Sequence, residues 1–337
     1  MIIRNIKYGT FFTHIKIKIK IKKHNGEGVY MKRARIIYNP TSGREAFKKH
    51  LPDVLEKLEK AGYEASCHAT TGAGDATTAA IAAVEREYDI VIACGGDGTL
   101  NEVVAGISQC EKRPKLGLIP MGTTNDFARA VHIPRSVEEA IDIIIKGDTI
   151  PVDVGLVNDD KYFVNIAAGG RITELTYEVP SKMKTMLGQL AYYLKAVEMI
   201  PSIKATHMNI KIDDEEFEGN AMMFLCALTN SVGGFEKLAP DASINDGLFT
   251  VLILKECSIA DFIRLASLAI RGEHLNDPNV IYRKANNVEV TTSETVHLNL
   301  DGEYGGDVPA TLRNLKRHIE VFVPIDDIRE IDRSLSE

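Results

Sequence analysis

The chain has 337 residues, 45% apolar and 26% charged, with 40 Lys+Arg against 47 Asp+Glu for a formal net charge of −7. With a mean hydropathy near zero, these proportions exclude a disordered or fibrous chain and predict a globular protein of about two domains. No apolar run approaches the roughly 20 residues of a membrane-spanning helix, and an acidic total has the wrong sign for general nucleic-acid binding. Five scattered cysteines without a Cys-x-x-Cys pair predict neither a disulfide framework nor a structural zinc site, so a reducing cytoplasm is the expected setting.

Residues 1–30 differ from that average. They hold seven Lys+Arg against Glu27 alone, a charge of +6, so the total of −7 leaves −13 for the rest. Ile15 to Lys22 alternates apolar and cationic residues with the period of a strand. Three readings stand open: a basic arm attracted to membranes, an added strand, or a segment translated because the start is placed too far upstream. Gly26-Glu27-Gly28 just before Met31 favours the third, since purine-rich codons there would resemble a bacterial ribosome-binding site.

From Met31 to about residue 152 short β-type runs alternate with helical ones, which predicts an α/β domain with a parallel sheet covered on both faces. Arg35–Tyr38 reads as a strand ending in the turn cluster Asn39-Pro40-Thr41-Ser42-Gly43. Phe47, Leu51, Leu55 and Leu58 fall at helical spacing, Glu64–Thr70 reads as a strand, and Asp75–Glu87 as a helix with Asp75 as its N-cap. Asp89–Cys94 is a buried-type strand running into Gly95-Gly96-Asp97-Gly98-Thr99, with a helix from Leu100 onward. Leu116–Pro120 and Val137–Ile145 complete the pattern as strand and helix. Ligands of such sheets bind at the carboxyl ends of the strands, where these glycine-rich and threonine-rich turns lie.

From residue 153 to about 312 the chain changes to short β runs: Val152–Val157, Lys161–Ala167, Thr206–Ile212, Ala221–Thr229, Leu248–Leu254, Asn287–Thr292 and Val296–Leu300. That spacing predicts an antiparallel β-sandwich, interrupted by helices near Lys182–Met199 and Ile259–Arg271. Residues 313–337, with a last strand at His318–Val323 and an acidic helical tail, form a C-terminal segment expected to return to the first domain.

The glycine turn carries the sharpest chemical signal. Between a buried strand and a helix, glycines bring backbone N–H groups and a helix N-terminus against a polyphosphate. Asp97 there reads as a ligand of magnesium or of its water, because a hard cation lets a carboxylate share a site with phosphates.

The chain resembles the lipid kinases with the diacylglycerol kinase catalytic fold, most closely the soluble bacterial diacylglycerol kinases. The resemblance rests on Asn39-Pro40-x-Ser42-Gly43, Gly95-Gly96-Asp97-Gly98-Thr99-Leu100-Asn101-Glu102, Gly122-Thr123-x-Asn125-Asp126-Phe127 and Asp301-Gly302-Glu303. It implies ATP as phosphoryl donor, magnesium as cofactor, and a cleft between the two domains. By the same resemblance, Asn39, Pro40, Thr41, Ser42, Gly43, Thr70, Gly96, Asp97, Gly98, Thr99, Leu100, Asn101, Glu102 and Thr123 match nucleotide-contact positions. Asp246 matches a direct magnesium ligand, with the carbonyls of Ser243 and Leu248 completing the site and Asp97, Asp126 and Asp153 joining through water. Asn245 stands where a second acid would fit, a departure that bears on metal affinity.

Asp301 and Glu303 are the candidate catalytic carboxylates, either of which suits the base that takes the proton of an attacking alcohol. If the strand at 296–300 continues, Asn299, Asp301 and Glu303 share one face; Asp-Gly is also a turn signal. The implied reaction phosphorylates diacylglycerol to phosphatidic acid, with NAD, a sphingoid lipid or another glycerolipid as alternative acceptors. The enzyme is expected in the cytoplasm, peripheral on the inner face of the membrane, with a homodimer kept as an alternative. An anionic bilayer is expected to meet a basic patch drawn from Lys32, Arg44, Lys48, Lys49, Arg129, Lys182, Lys184 and Lys195. Met183, Met186, Leu187, Leu190 and Leu194 form an apolar stripe suited to a core or to the wall of an acyl-chain entrance.

Overall fold

Two hydrophobic periods in the sequence build two kinds of layer. The structure is a computed structural model that describes residues 31–42, 47–170, 205–230, 237–328 and 332. The basic arm at 1–30, Gly43, Arg44, the helix near Lys182–Met199 with its lysines and apolar stripe, and the last residues of the tail lie outside the described residues.

In the first half the elements run β1 (Lys32–Tyr38), α1 (Phe47–Lys60), β2 (Tyr63–Ala69), α2 (Asp75–Glu85), β3 (Ile90–Gly95), α3 (Asp97–Ser108), β4 (Lys115–Pro120), α4 (Asp126–Ala130) and α5 (Val137–Lys146). The strands pair in parallel in the order β2-β1-β3-β4, and right-handed crossovers set α1 opposite α2 and α3. β3 is buried at every residue, as a central strand covered on both faces must be. Its continuous apolar run leaves no polar face to solvate. Asp75 is the first helical residue of α2 rather than its N-cap, which is Gly74 at φ 79°. The Asp75 carboxylate turns back to accept from Thr71 N and Oγ1 at 2.7 and 2.8 Å, holding the loop in front of the helix.

The second half is antiparallel. It comprises β5 (Thr149–Val157), β6 (Lys161–Phe163), β7 (Ile166–Gly169), β8 (Thr206–Ile212), β9 (Glu215–Ala227), β10 (Phe249–Lys255), α6 (Ile259–Arg271), β11 (Val280–Ala285), β12 (Asn287–Thr292), β13 (His297–Leu300), β14 (Glu303–Asp307) and β15 (Ala310–Phe322). The α/β half and the antiparallel β-sandwich half agree with the expected fold class. A core of Phe163, Phe224, Phe249 and their neighbours fills the sandwich, separate from the core under the parallel sheet.

Two departures from the expected elements have physical causes. The run Lys161–Ala167 is broken into β6 and β7 because the N–H groups of Val164, Asn165 and Ile166 all turn to one carboxylate, that of Asp301. The last strand begins at Ala310, eight residues before His318, because exposed Thr311 and Arg313 alternate with buried Ala310, Leu312 and Asn314 where the strand pairs with β5 and β12. A register shift between Leu315 and Ile319 in that strand accommodates Arg317 at φ 51°. β15 then pairs with both β5 and β4, so one strand belongs to both halves. After it, Val323 and Ile328 are buried in the first core.

Candidate active site

The carboxyl ends of β3 and β4 meet without side chains between them. A Cβ on Gly122 would lie 2.6 Å from the Gly96 Cα, and one on Gly95 would lie 2.5 Å from Thr99 Oγ1, so only glycine permits this approach. Asp97 fixes the two turns together: its oxygens accept from Asn125 N and Asp126 N, each at 2.9 Å. Asn125, at φ 52°, closes its own turn by accepting from Gly122 N and donating to Gly122 O, both at 2.8 Å. Burial, and then the nearby Asp126 carboxylate, raise the Asp97 pKa to about 6. Asp97 therefore acts first as a strut between turns.

Beside this junction lies a cavity of about 320 Å³. Asn39, Pro40, Thr41, Thr70, Gly98, Thr99 and Glu102 line it, seven of the positions matched to nucleotide contact. Thr71, Gly72, Ala73 and Ala76 complete the wall; these are the residues the motifs missed. Their signal was the small-residue loop following β2, equivalent in place to the turns after β1 and β3. Asn39 orders its own turn by accepting from Thr41 N at 2.9 Å and Thr41 Oγ1 at 2.8 Å.

Three matched positions, Glu102 among them, also make contacts within the protein. Leu100 is a buried core residue. The Glu102 carboxylate accepts from Gly74 N and Ala76 N at 2.9 and 3.0 Å, supplying the acceptor that the N-terminus of α2 otherwise lacks. Asn101, expected beside ribose or phosphate, donates instead to Tyr162 O and to Asp301 Oδ2, both at 3.0 Å. Among the remainder, Ser42 and Thr123 sit outside the cavity wall, and the Thr123 carbonyl accepts from Arg135 at 2.7 Å.

The strand at 297–300 does not continue through Asp301. Asp301 and Gly302, at φ 50° and 96°, form the two-residue turn between β13 and β14, with Leu300 paired to Glu303. Positive φ at both central residues is the preferred twist for such a hairpin. The shared face of Asn299, Asp301 and Glu303 is thus lost to the turn, and the two acids part company. Asp301 accepts from Val164 N, Asn165 N and Ile166 N at 2.8, 2.9 and 2.8 Å, and from Asn101. Desolvation raises its pKa, and those four donors oppose the rise. Glu303 is exposed, and its Oε1 lies 3.7 Å from where a Gly98 Cβ would stand. One carboxylate is enclosed by donors, and its neighbour hangs over the glycine turn.

The proposed cation residues fall into two groups, Asp97 with Asp126 at the glycine junction and Asp153 with Asp246 at the 241–248 loop. Asp246 accepts from Leu248 N at 2.9 Å and pairs with Lys284 Nζ at 3.2 Å. Asp153 is fully buried, accepts from Gly247 N at 2.6 Å and Arg317 N at 2.7 Å, and is raised to about 6 chiefly by burial. Asn245 is also fully buried; it ties down the chain rather than standing in for an acid. Asp126 stays with Asp97, and Arg129 lies 3.6 Å from it while also donating to Thr124 O. Arg129, of the expected basic patch, is thus paired with its own turn. Among the described residues no three His, Cys, Asp or Glu side chains are gathered as a metal cage, so any cation at Asp246 would rely on carbonyl and water oxygens.

Residues 33–157 match the family described as the diacylglycerol kinase catalytic domain, and residues 172–323 match the YegS C-terminal NAD kinase beta sandwich-like domain. The chain is 61% identical to a diacylglycerol kinase of Bacillus subtilis over 303 residues, covering 90% of this chain and 100% of that one. The chain belongs to the diacylglycerol kinase family. A Staphylococcus epidermidis diacylglycerol kinase is 54% identical over 299 residues, 89% of this chain and 94% of that one. A crystal structure from Bacillus anthracis, of a protein provisionally named a diacylglycerol kinase, superposes with a TM-score of 0.77 at 26% identity, covering 90% of this chain and all of that one. Among the described residues, no helix is long and apolar enough to cross a membrane.

Proposed function

We propose that the chain, a lipid kinase by its family, transfers the γ-phosphoryl group of ATP to the free hydroxyl of diacylglycerol, giving phosphatidic acid. The observation that carries this reading is Glu303 over Gly98 at a cavity built from strand-end turns. In it the hydroxyls of Thr41, Thr70 and Thr99 and the backbone around Gly98 orient the polyphosphate. Phosphoryl transfer asks chiefly for position, charge neutralisation and a proton acceptor. The lipid oxygen attacks the γ-phosphorus, its proton passes to Glu303, and ADP leaves. Glu303 suits the base because its carboxylate is exposed, whereas the lone pairs of Asp301 are engaged by four donors. Asp301 is then a positioning residue: through Asn101 and the three N–H groups it sets the hairpin tip against the glycine turn.

Magnesium, when bound, neutralises phosphate charge. The Asp246 carboxylate with the carbonyls of Ser243 and Leu248 would hold it, an all-oxygen donor set that fits a hard cation. Lys284 Nζ pairs with the same carboxylate, so a bound cation would share Asp246 with it or displace it. Asp97, Asp126 and Asp153 would act through water.

A mixed-micelle assay offering ATP with diacylglycerol, ceramide, sphingosine or NAD tests the acceptor. Turnover of diacylglycerol is expected, and phosphorylation of NAD without lipid would overturn the reading. At the membrane, Lys32, Lys48 and Lys49 provide cations from the first half, and attraction to anionic lipid is screened over about 8–10 Å. Activity on anionic vesicles should therefore fall as salt rises, and indifference to salt would exclude this mode of docking.

A further inference from the structure

The loop between β9 and β10 that carries Asp246 is held from a part of the chain no motif includes. Asp332, 2% exposed, accepts from Ser243 Oγ at 2.6 Å and from Ile244 N at 3.3 Å. Its backbone carbonyl accepts from Asn245 Nδ2 at 2.8 Å. Three consecutive loop residues are thus engaged by one residue almost ninety positions away. A carboxylate removed from water is costly unless donors satisfy it, so this contact specifies a particular placement of the loop.

Ile328, four residues before Asp332, is anchored as well. After β15, a 3-10 turn at Ile325–Asp327 leads to Ile328, buried in the core under the parallel sheet. Ile244, in the middle of the clasped triplet, is buried in that same core. From the opposite side, Asp153 N donates to Ile244 O at 2.7 Å, and Asp153 accepts from Gly247 N. The loop is therefore gripped at 243–245 by Asp332 and at 244 and 247 by Asp153 of β5, with Asp246 lying between gripped residues.

We infer that Asp332 is a positioning residue for the cation site: a C-terminal strap that orients the Ser243 carbonyl and the Asp246 carboxylate by holding Ser243, Ile244 and Asn245. This rests on the reading of Asp246 as a cation ligand. The strap has a consequence for the chain's design. Asp332, outside the recognisable motifs, controls the affinity of a site more than eighty residues earlier.

The test uses the full chain without nucleotide or lipid. Hydrogen–deuterium exchange over residues 241–248 reports the strap in the metal-free protein, and thermal shift against magnesium concentration reports the site. D332A should speed exchange in that loop at least tenfold and raise the half-saturating magnesium concentration at least tenfold. D332N, which keeps one oxygen to accept from Ser243 and Ile244, should recover most of both. S243A removes only the donor hydroxyl, should move both readouts in the same direction, and serves if D332A does not fold. Together D332A and S243A should give less than the product of their separate effects, as contacting residues do. Unchanged exchange in both single variants would overturn the strap. Faster exchange with an unchanged magnesium midpoint would overturn its positioning role. D246N separates the two ideas: a wild-type magnesium response in that variant overturns the cation reading itself, whereas its loss beside an unaffected D332A overturns only the role of Asp332.

Discussion

Two regions of this molecule use one device to opposite ends. At the carboxyl ends of β3 and β4, Asp97 accepts two backbone N–H groups; at the 241–248 loop, Asp153 does the same. In the first region the turns are joined by the absence of side chains, glycine on glycine, with a cavity left beside them. In the second the loop is held by Asp153 of β5, Lys284 of β11, Asn286 and Asp332. Close approach can thus be written locally, in a few adjacent small residues, while a clasp requires partners brought from far along the chain.

The largest expected effect tests what the first region supports. Replacing Glu303 with Gln should lower kcat by about 10²–10⁴ with little change in melting temperature, since a general base contributes on that scale. Replacing Asp301 with Asn should instead destabilise the fold by about 2–4 kcal/mol, because an amide cannot accept from all four donors and leaves N–H groups unsatisfied. Denaturant melts beside steady-state kinetics separate the two. Equal stability losses would erase the distinction between base and positioning residue.

A glycine pair extends the contrast between regions. G122A drives a Cβ into the Gly96 backbone at 2.6 Å and should cost about 1–3 kcal/mol, together with activity, because the turns must separate. G247A also carries a backbone cost, at φ 85°, but its nearest neighbour is the Lys316 side chain at 2.8 Å, which can swing away. About 1–2 kcal/mol is expected there. A larger loss of activity at Gly247 than at Gly122, in the same assay, would reverse the comparison.

The smallest effect is in pH dependence. Asp97 and Asp153 are each raised to about 6 in the fold, above an ordinary carboxylate. Between about pH 4 and 6 the native state therefore binds more protons than the unfolded chain, so this part of the stability falls as pH rises and is constant above. Each group contributes on the order of 1–3 kcal/mol to that fall. Subtracting the stability of D153N from that of the wild type at pH 4.5, 5.5 and 6.5 isolates one contribution. A difference that moves in the other direction would show that the hydrogen bonds to Asp153 outweigh its burial.

Much of the first half was legible because its rules are local. An apolar run gives a buried strand, a glycine cluster gives the turn after it, and small hydroxyl residues mark the cavity. Less of the second half was legible. The alternating residues of 297–303 fit a continuing strand and an Asp-Gly hairpin equally until Asp301 is seen to collect N–H groups from 164–166. Those same donors split Lys161–Ala167 into two strands, so one long-range contact accounts for two departures. Asn101 and Glu102 lie within the most recognisable motif, yet their side chains serve the scaffold, because a hydrogen-bonding residue is claimed by whichever unsatisfied group the fold brings nearest.

The alternation of layers, the positions of the strand-end turns and the set of carboxylates available for chemistry all follow from the order of residues alone. Periodicity and turn preference act over a few residues and are readable there. Which acid hangs over Gly98, which is enclosed, and which one near the C-terminus grips the loop of Asp246 emerge only once the chain is folded. Those assignments depend on burial and on donors from remote segments, and a carboxylate's role is set by the groups that surround it.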